Sequence, residues 1–206
     1  MEISTGPIVF HMISAGEVIA GYQTIVELRE LIESSVPFLV TTTTPTGSAE
    51  VQSRLLHISG IEHCYLPYDI PQAVRRFLDR VKPKAIVIME TELWPNLFSY
   101  CNSRNIKIYL INARLSARSA KSDGRFLSLT RTIISCLTKI VCQYEDTEER
   151  FRALGADPNV LVCNGSVKFD IELPSDFERL SAQWKSKWPF GLRAWIVGSS
   201  HAGEEN

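Results

Sequence analysis

Three acidic side chains stand directly after apolar runs of the sequence. Glu90 and Glu92 follow the run IVIM at residues 86–89, and Glu17 follows the first apolar run through the segment HMISAGE. A carboxylate at a reaction site can take a proton from a hydroxyl, or oppose positive charge that develops there. Acids near the start of a helix also complement its dipole, by about 0.3 to 1 kcal/mol each. The sequence leaves both interpretations of these acids open.

A hydroxyl-rich segment, VTTTTPTGS, follows the second apolar run. Thr44 is placed to cap a helix that has Pro45 in its first turn, and Gly47 would let a ligand approach the backbone. Capping does not require the threonines at 41–43. They either contact a ligand or serve as good strand formers, and both possibilities remain.

A basic segment, NARLSARSAKS, follows the fifth apolar run. It contains Arg114, Arg118 and Lys121 and no acid. Two arginines with Ser116 between them suit a phosphate or a carboxylate, although a solvated basic loop has the same composition. Lys168, after the seventh run, is either a surface lysine or a charge directed toward the same place.

The elements that must position these residues are strands alternating with helices. Seven apolar, strand-like runs recur, at 8–13, 38–43, 63–66, 85–89, 106–111, 139–142 and 160–163. Segments with helical spacing lie between them, and the first helix is predicted from about Glu17 to Ser34. This alternation predicts an α/β fold, a parallel sheet with helices on both faces. Ligands bind beyond the carboxyl ends of the strands in such sheets, which is where the polar segments fall.

The rhythm of strands and helices changes after about residue 174, where WKSKWPFGLR occurs. The following AWIVGSSHAGEEN has the pattern of an apolar strand, a Gly-Ser turn and an acidic start to a helix. We therefore expect one domain over 1–174, a linker region over 175–191, and the first strand and turn of a second α/β domain over 192–206.

Composition narrows the function classes. With 206 residues and a net charge of -1, the chain has no general attraction to nucleic acid, so any affinity for anions is local. Five cysteines without a Cys-x-x-Cys spacing predict reduced thiols in a cytoplasmic protein, and four scattered histidines lack the spacing of metal ligands. No run approaches the roughly 18 apolar residues that span a bilayer.

Several common enzyme classes lack their motifs here. The first turn, SAGEV, has one glycine where a dinucleotide-binding Gly-x-Gly-x-x-Gly needs three, and no phosphate-binding Gly-x-x-x-x-Gly-Lys-Ser/Thr occurs. A Gly-x-Ser-x-Gly segment, typical of serine hydrolases, is also absent from the sequence. The sequence therefore disfavours phosphoryl transfer and hydrolysis through a serine.

Seven motifs in a fixed order carry a family resemblance. They are HMISAGE, TTTTPTGS, YLPYD, METELWPN, NARLSARS, NGSVKFD and GSSHAGEE. In this order and spacing they closely resemble the Kdo transferases, the 3-deoxy-D-manno-oct-2-ulosonic acid transferases of lipopolysaccharide assembly. The resemblance covers essentially the whole chain. It implies the GT-B architecture, in which two Rossmann-like domains face each other across a cleft; the first serves mainly the acceptor and the second mainly the CMP-Kdo donor.

The resemblance also implies a reaction and its residues. The family transfers Kdo from CMP-Kdo to a lipid A precursor, lipid IVA, at the cytoplasmic face of the bacterial inner membrane, with inversion and without a metal or other cofactor. Glu17 corresponds to the general base of the family, and Glu90 and Lys168 correspond to groups that stabilise the transition state. The candidate residues for binding the acceptor or its anionic groups are Ser14, Gly16, Thr44, Gly47, Ser48, Arg114, Ser116 and Arg118.

Members of the family carry a hydrophobic N-terminal anchor and a complete donor domain, so we expect this chain to be a fragment that is inactive alone. Two alternatives remain: a non-catalytic module that binds an anionic lipid headgroup, and a GT-B enzyme that uses another nucleotide sugar.

Glu92 is expected to order its loop or cap the next helix. Asp69 of YLPYD is expected to cap the helix that follows it.

Overall fold

A computed structural model describes residues 4–90, 92–116, 127–169 and 176–188. The chain divides into two compact units, Met1–Ile171 and Glu172–Asn206. The assignment of functions to the predicted domains stays a prediction, and the predicted start of a second domain at 192–206 lies outside the described residues.

The first unit contains a seven-stranded sheet in which all neighbouring strands are parallel. The strands are β1 (Ile8–His11), β2 (Phe38–Thr42), β3 (Ile61–Tyr65), β4 (Ala85–Met89), β5 (Lys107–Ala113), β6 (Lys139–Cys142) and β7 (Leu161–Cys163). The predicted α/β fold is therefore confirmed. Each of the seven predicted runs forms a strand, with ends that differ from the prediction by at most two residues.

Helices connect the strands. In the first unit they are α1 (Ala15–Leu31), α2 (Pro45–Arg54), α3 (Pro71–Val81), α4 (Pro95–Ser103), α5 (Leu127–Ile134) and α6 (Glu145–Ala153), with 3₁₀ turns at Pro158–Val160 and Val167–Phe169. Helix α1 begins two residues earlier than predicted because Ser14 caps it, and it ends before Ile32, whose backbone is extended. The second unit contains α7 (Phe177–Lys185), within the region predicted as a linker.

Each face of the sheet has its own hydrophobic core. On one face, Phe38 and Val40 pack with residues of α1 and α2. On the other face, Leu39, Ile86 and Ile88 pack with residues of α3, α4, α5 and α6. Strands that are buried on both faces have continuous apolar sequences, which is why β2 and β4 were recognisable as strands.

The order of the strands locates the ligand-binding edge. The sheet order is β3-β2-β1-β4-β5-β6-β7, so the chain winds in one direction from β1 to β3 and in the other from β4 to β7. In such sheets the ligand crevice lies at the carboxyl ends of the two strands where the winding reverses, here β1 and β4. Glu17 follows β1 and Glu90 follows β4, so both acids lie at this switch point.

Within the described parts of the chain, no helix combines the length and the apolar character that crossing a bilayer requires.

Candidate active site

The capping of α1 fixes the carboxylate of Glu17. The Ser14 hydroxyl accepts a hydrogen bond from the Glu17 backbone N–H at 3.4 Å and donates to Glu17 Oε1 at 3.3 Å. Glu17 Oε2 accepts from the backbone N–H of Ile13 at 2.6 Å. This is a variant of the capping box, so the helix-starting role considered from the sequence is present. A carboxylate has about four lone-pair positions, and these contacts leave others for a ligand.

The surroundings of Glu17 favour its protonated form. Burial raises the pKa of the Glu17 carboxyl above its ordinary value, and the charges of Glu90 and Glu92 raise it further, while the hydrogen bonds from Ile13 and Ser14 act in the opposite direction. A carboxyl whose pKa moves up toward neutrality is a better proton acceptor when it is ionised. The same group thus takes part in capping the helix and has a pKa shifted in the direction that suits a base.

Glu90 and Lys168 form an ion pair beside this carboxylate. Lys168 Nζ lies 3.0 Å from Glu90 Oε1, and both side chains are partly exposed. Glu90 has a left-handed backbone with φ 59°, and its N–H bonds to the carbonyl of Ile111 at 3.0 Å. This conformation is uncommon for a residue with a side chain and is found more often at functional sites. The structure therefore brings Glu90 and Lys168 into contact, and it places Glu17 within reach of the charge on Glu90.

Asn112 was not among the predicted site residues, yet it holds the turn that carries Lys168. Its side chain is buried, its Oδ1 accepts from the backbone N–H of Val167 at 3.3 Å, and its carbonyl accepts from Gln143 Nε2 at 2.8 Å. The backbone of Asn112 is left-handed, with φ 51°. Asparagine adopts this conformation more readily than most residues. The only indication of this role in the sequence was the position of Asn112 in the motif NARLS.

Glu92 is partly buried next to the start of α4. Burial raises the pKa of its carboxyl, and the charge of Glu90 raises this pKa further. The nearby indole N–H of Trp94 acts in the opposite direction. This N–H has no hydrogen bond of normal geometry within the described residues. Glu92 does not cap α4. Instead Asp69 accepts from the backbone N–H groups of Asn96 and Leu97, both at 2.9 Å. The prediction that Asp69 caps the helix following it, α3, is wrong, because Ile70 occupies that N-cap position without a side-chain hydrogen bond.

The predicted acceptor-binding residues near Glu17 in sequence and on the neighbouring helix lie at the starts of α1 and α2. Thr44 caps α2 as predicted: its Oγ1 accepts from the Gly47 N–H at 3.1 Å and donates to the carbonyl of Ile13 at 2.8 Å. A Cβ on Gly47 would lie 2.9 Å from that same carbonyl, so protein backbone already occupies the space beside Gly47. Ser48 is buried and accepts from Gln52 Nε2 at 3.0 Å, whereas Gly16 is exposed. A ligand role for these residues stays a prediction.

The basic segment begins at the carboxyl end of β5. Arg114 and Ser116 are exposed there, and both make contacts with other groups of the protein. Arg118 and Lys121 lie outside the described residues. A cavity of about 410 Å³ lies near the Lys168 turn and is lined in part by Asn112 and Ser166.

The fold defines the class of protein, a Rossmann-like domain of the GT-B type. UDP-GlcNAc 2-epimerase from Neisseria meningitidis, solved with UDP-GlcNAc, superimposes with a TM-score of 0.56 at 17% identity, over 89% of this chain and 52% of that one. Phytolacca americana apo UGT2 superimposes with a TM-score of 0.50 at 13% identity, over 89% of this chain and 56% of that one. At these identities the likeness concerns the fold alone.

The sequence comparisons give the family. Residues 2–171 match the family described as 3-deoxy-D-manno-octulosonic-acid transferase (kdotransferase), and the chain belongs to it. It is 37% identical over 199 residues to the 3-deoxy-D-manno-octulosonic acid transferase of Haemophilus influenzae, and 34% identical over 202 residues to that of Bordetella pertussis. These alignments cover 96% and 97% of this chain but 46% of each relative, so the chain spans just under half their length.

Proposed function

We propose that the complete protein is an inverting glycosyltransferase that transfers Kdo from CMP-Kdo to a lipid A precursor, lipid IVA, in lipopolysaccharide synthesis. Family membership supports the transferase class and the sugar. The observation that carries the proposal is the position of Glu17, with its raised pKa, beside the Glu90–Lys168 ion pair at the switch point of the sheet.

Glu17 acts as the general base. An acceptor hydroxyl attacks the anomeric carbon of Kdo while its proton moves to the Glu17 carboxylate, a contribution of typically about 10²- to 10⁴-fold. The bond from that carbon to the phosphate oxygen breaks, and CMP leaves with the bonding electrons. Attack from the side opposite CMP in a single displacement inverts the configuration at the anomeric carbon.

Glu90 and Lys168 stabilise the transition state with opposite charges. The sugar carbon becomes electron-poor as CMP departs, and the Glu90 carboxylate opposes the positive charge that develops there. The Lys168 ammonium attracts the anionic groups of the donor and, 3.0 Å from Glu90, holds that carboxylate in place. Charges fixed before the reaction need no reorganisation during it.

The acceptor binds to the part of the sheet edge formed by α1, α2 and the segment after β5. Both substrates carry negative groups whereas the chain has a net charge of -1, so attraction must be local. Arg114 provides a cation for this purpose among the described residues, and Arg118 and Lys121 follow it in the sequence. We place the reaction at the cytoplasmic face of the inner membrane, where a lipid acceptor is presented, and infer no nucleic-acid partner.

A transfer assay by mass spectrometry, with CMP-Kdo and lipid IVA, tests this proposal. The complete wild-type protein adds Kdo, whereas Glu17→Gln retains its fold and loses about 10²- to 10⁴-fold in kcat. Glu30→Gln, an exposed acid on the same helix, is the control and keeps wild-type activity. Full activity of Glu17→Gln would refute the base. Transfer only from UDP-sugars would refute the donor, and acceptor binding without any turnover would support a non-catalytic module.

A further inference from the structure

An aromatic cavity lies beside the site, at the carboxyl ends of β2 and β3 and the start of α4. It has a volume of about 440 Å³ and is lined by Thr43, Tyr65, Leu66, Tyr68 and Trp94. Small-molecule sites commonly have volumes of about 300 to 1,000 Å³. We call it the aromatic cavity. Its lining residues have no part in the reaction proposed for Glu17, Glu90 and Lys168.

Two buried histidines support two of its aromatic residues. His11 is joined by a hydrogen bond of 3.0 Å to Thr41, and its ring meets that of Trp94 edge to face, with centroids 5.3 Å apart. Burial lowers the pKa of His11 to about 4, so the ring is neutral at physiological pH and packs as a spacer without charge.

The second support has the same composition, but its histidine lies on β3, on the other side of β2 from β1. His63 is joined by a hydrogen bond of 3.0 Å to Thr42, and its ring meets that of Tyr65 edge to face at 5.7 Å. The run of threonines in β2 thus has a structural role at two positions, since Thr41 and Thr42 each fix a histidine that contacts an aromatic residue of the cavity. Thr43, the next residue, lines the cavity itself.

The residue that follows the cavity residue Thr43 is linked by hydrogen bonds, through Ile13, to Glu17. Thr44, adjacent to Thr43, donates to the carbonyl of Ile13 at 2.8 Å, and the N–H of Ile13 donates to Glu17 Oε2 at 2.6 Å. On the other side, Glu92 is two residues before Trp94, and its charge acts on Glu17. A ligand in the aromatic cavity is therefore next to the elements that hold the candidate base.

The lining favours a sugar ring. The tyrosines are well exposed, Tyr65 at 53% and Tyr68 at 84%, so their rings and hydroxyls are accessible to a ligand in the cavity. Tyrosine and tryptophan combine an apolar ring with a polar tip. A pyranose has the matching character, with apolar C–H faces and a rim of hydroxyls. An acyl chain, in contrast, cannot form hydrogen bonds with the hydroxyls of Thr43 and the tyrosines.

We propose that the aromatic cavity binds a pyranose ring of the acceptor saccharide and so directs an acceptor hydroxyl toward Glu17. This inference rests on the proposed function in so far as the saccharide belongs to the lipid A precursor. It assigns Tyr65, Tyr68 and Trp94 as acceptor-binding residues that select the sugar part of a glycolipid.

The direct test is binding of the deacylated saccharide headgroup of a lipid A precursor to residues 1–206, measured by isothermal titration calorimetry. Tyr65→Ala and Tyr68→Ala each weaken binding about five- to tenfold, the range expected for loss of one aromatic contact. Tyr144→Ala is the matched control: Tyr144 is 50% exposed and follows β6, in the other half of the sheet. Thermal melting of each variant checks that the fold is kept.

Steady-state kinetics of the complete protein separates failure of this inference from failure of the proposed function. Tyr68→Ala raises KM for the acceptor about five- to tenfold and leaves KM for CMP-Kdo unchanged, while Glu17→Gln lowers kcat. Kdo transfer with the same acceptor KM in Tyr65→Ala, Tyr68→Ala and Tyr144→Ala would overturn the role of the cavity in acceptor binding and leave the proposed function intact.

If the protein transfers no Kdo, the titration alone decides. Absence of headgroup binding then overturns the role of the cavity as well. An effect of the tyrosines on the acylated precursor but not on the headgroup would assign the cavity to an acyl chain and also overturn the inference.

Discussion

Lys168 Nζ and Glu90 Oε1 lie 3.0 Å apart, although the two residues follow strands that are not neighbours. Glu90 follows β4 and Lys168 lies in a turn after β7, with β5 and β6 between these strands. The turn reaches back across two strand ends and is tied to the end of β5 through Asn112. The ion pair is thus a product of the sheet order.

Loss of the Lys168 ammonium is expected to affect activity far more than stability. Partly exposed ion pairs contribute about 0 to 1 kcal/mol, so Lys168→Ala changes the free energy of unfolding by less than about 1 kcal/mol. Its kcat falls by roughly 10²-fold or more, because a preorganised charge is lost. Arg152→Ala is a matched control: the Arg152–Glu148 pair has side-chain exposures of 54% and 23%, against 50% and 26% for Lys168–Glu90. Equal kcat values for the two variants would contradict a role for Lys168.

The pH dependence of kcat/KM should report the ionisation of Glu17. The base must be ionised, so activity falls as the pH falls through the pKa of Glu17, which burial raises above its ordinary value. The negative charge of Glu92 adds to this shift, and Glu92→Gln therefore moves the acidic limb of the profile to lower pH. An unmoved limb in Glu92→Gln would show that another group titrates.

Glu17→Gln should stabilise the fold at neutral pH. A carboxyl whose pKa is higher in the folded than in the unfolded state binds more protons when folded, so its contribution is present at low pH and is lost as the pH rises through the folded pKa. Glutamine removes this pH dependence and keeps an oxygen to accept from the Ile13 N–H. The melting temperature of the variant exceeds that of the wild type at pH 7. The difference shrinks below about pH 4, which is near the ordinary pKa of a glutamate side chain. A variant less stable than the wild type at pH 7 would contradict the raised pKa.

Asn112→Ala should destabilise the protein by about 1 to 3 kcal/mol, because the Val167 N–H loses its acceptor and alanine tolerates a left-handed backbone poorly. Asn112→Gly relieves the backbone and isolates the effect of the hydrogen bond. Chemical denaturation measures both variants. We expect both to lower kcat, because the turn carrying Lys168 is no longer tied to β5; normal kcat in a folded Asn112→Gly would show that the tie is dispensable.

Gly47→Ala and Gly16→Ala form a pair that tests the close approach of α2 to the Glu17 segment. A Cβ at position 47 would lie 2.9 Å from the Ile13 carbonyl, whereas at position 16 the nearest atom is Ser14 Oγ at 3.9 Å. Gly47→Ala therefore shifts the backbone beside Glu17, lowering the melting temperature and kcat, while Gly16→Ala leaves the melting temperature near that of the wild type. Identical melting behaviour of the two variants would contradict this packing.

The sequence predicted the sheet well because burial on both faces leaves a strong signal. The strands β4 and β6 match their predicted limits, and Thr44 caps α2 as its position before Pro45 and Gly47 indicated. Asp69 was assigned to the wrong helix because a capping residue normally stands directly before the helix that it caps. Its carboxylate instead caps α4, which follows α3 and β4 in the sequence. No local pattern could reveal that contact.

The sequence by itself determined the class of fold, the family and the residue types at the strand ends, because these follow from hydrophobic periodicity and from short motifs. Only the tertiary structure decided which of those residues meet. The pairing of Lys168 with Glu90, the support of the Lys168 turn by Asn112, and the use of Thr41 and Thr42 to fix two histidines all join segments distant in sequence. Such contacts depend on strand order and register, which fix positions in space without leaving a pattern in any one segment.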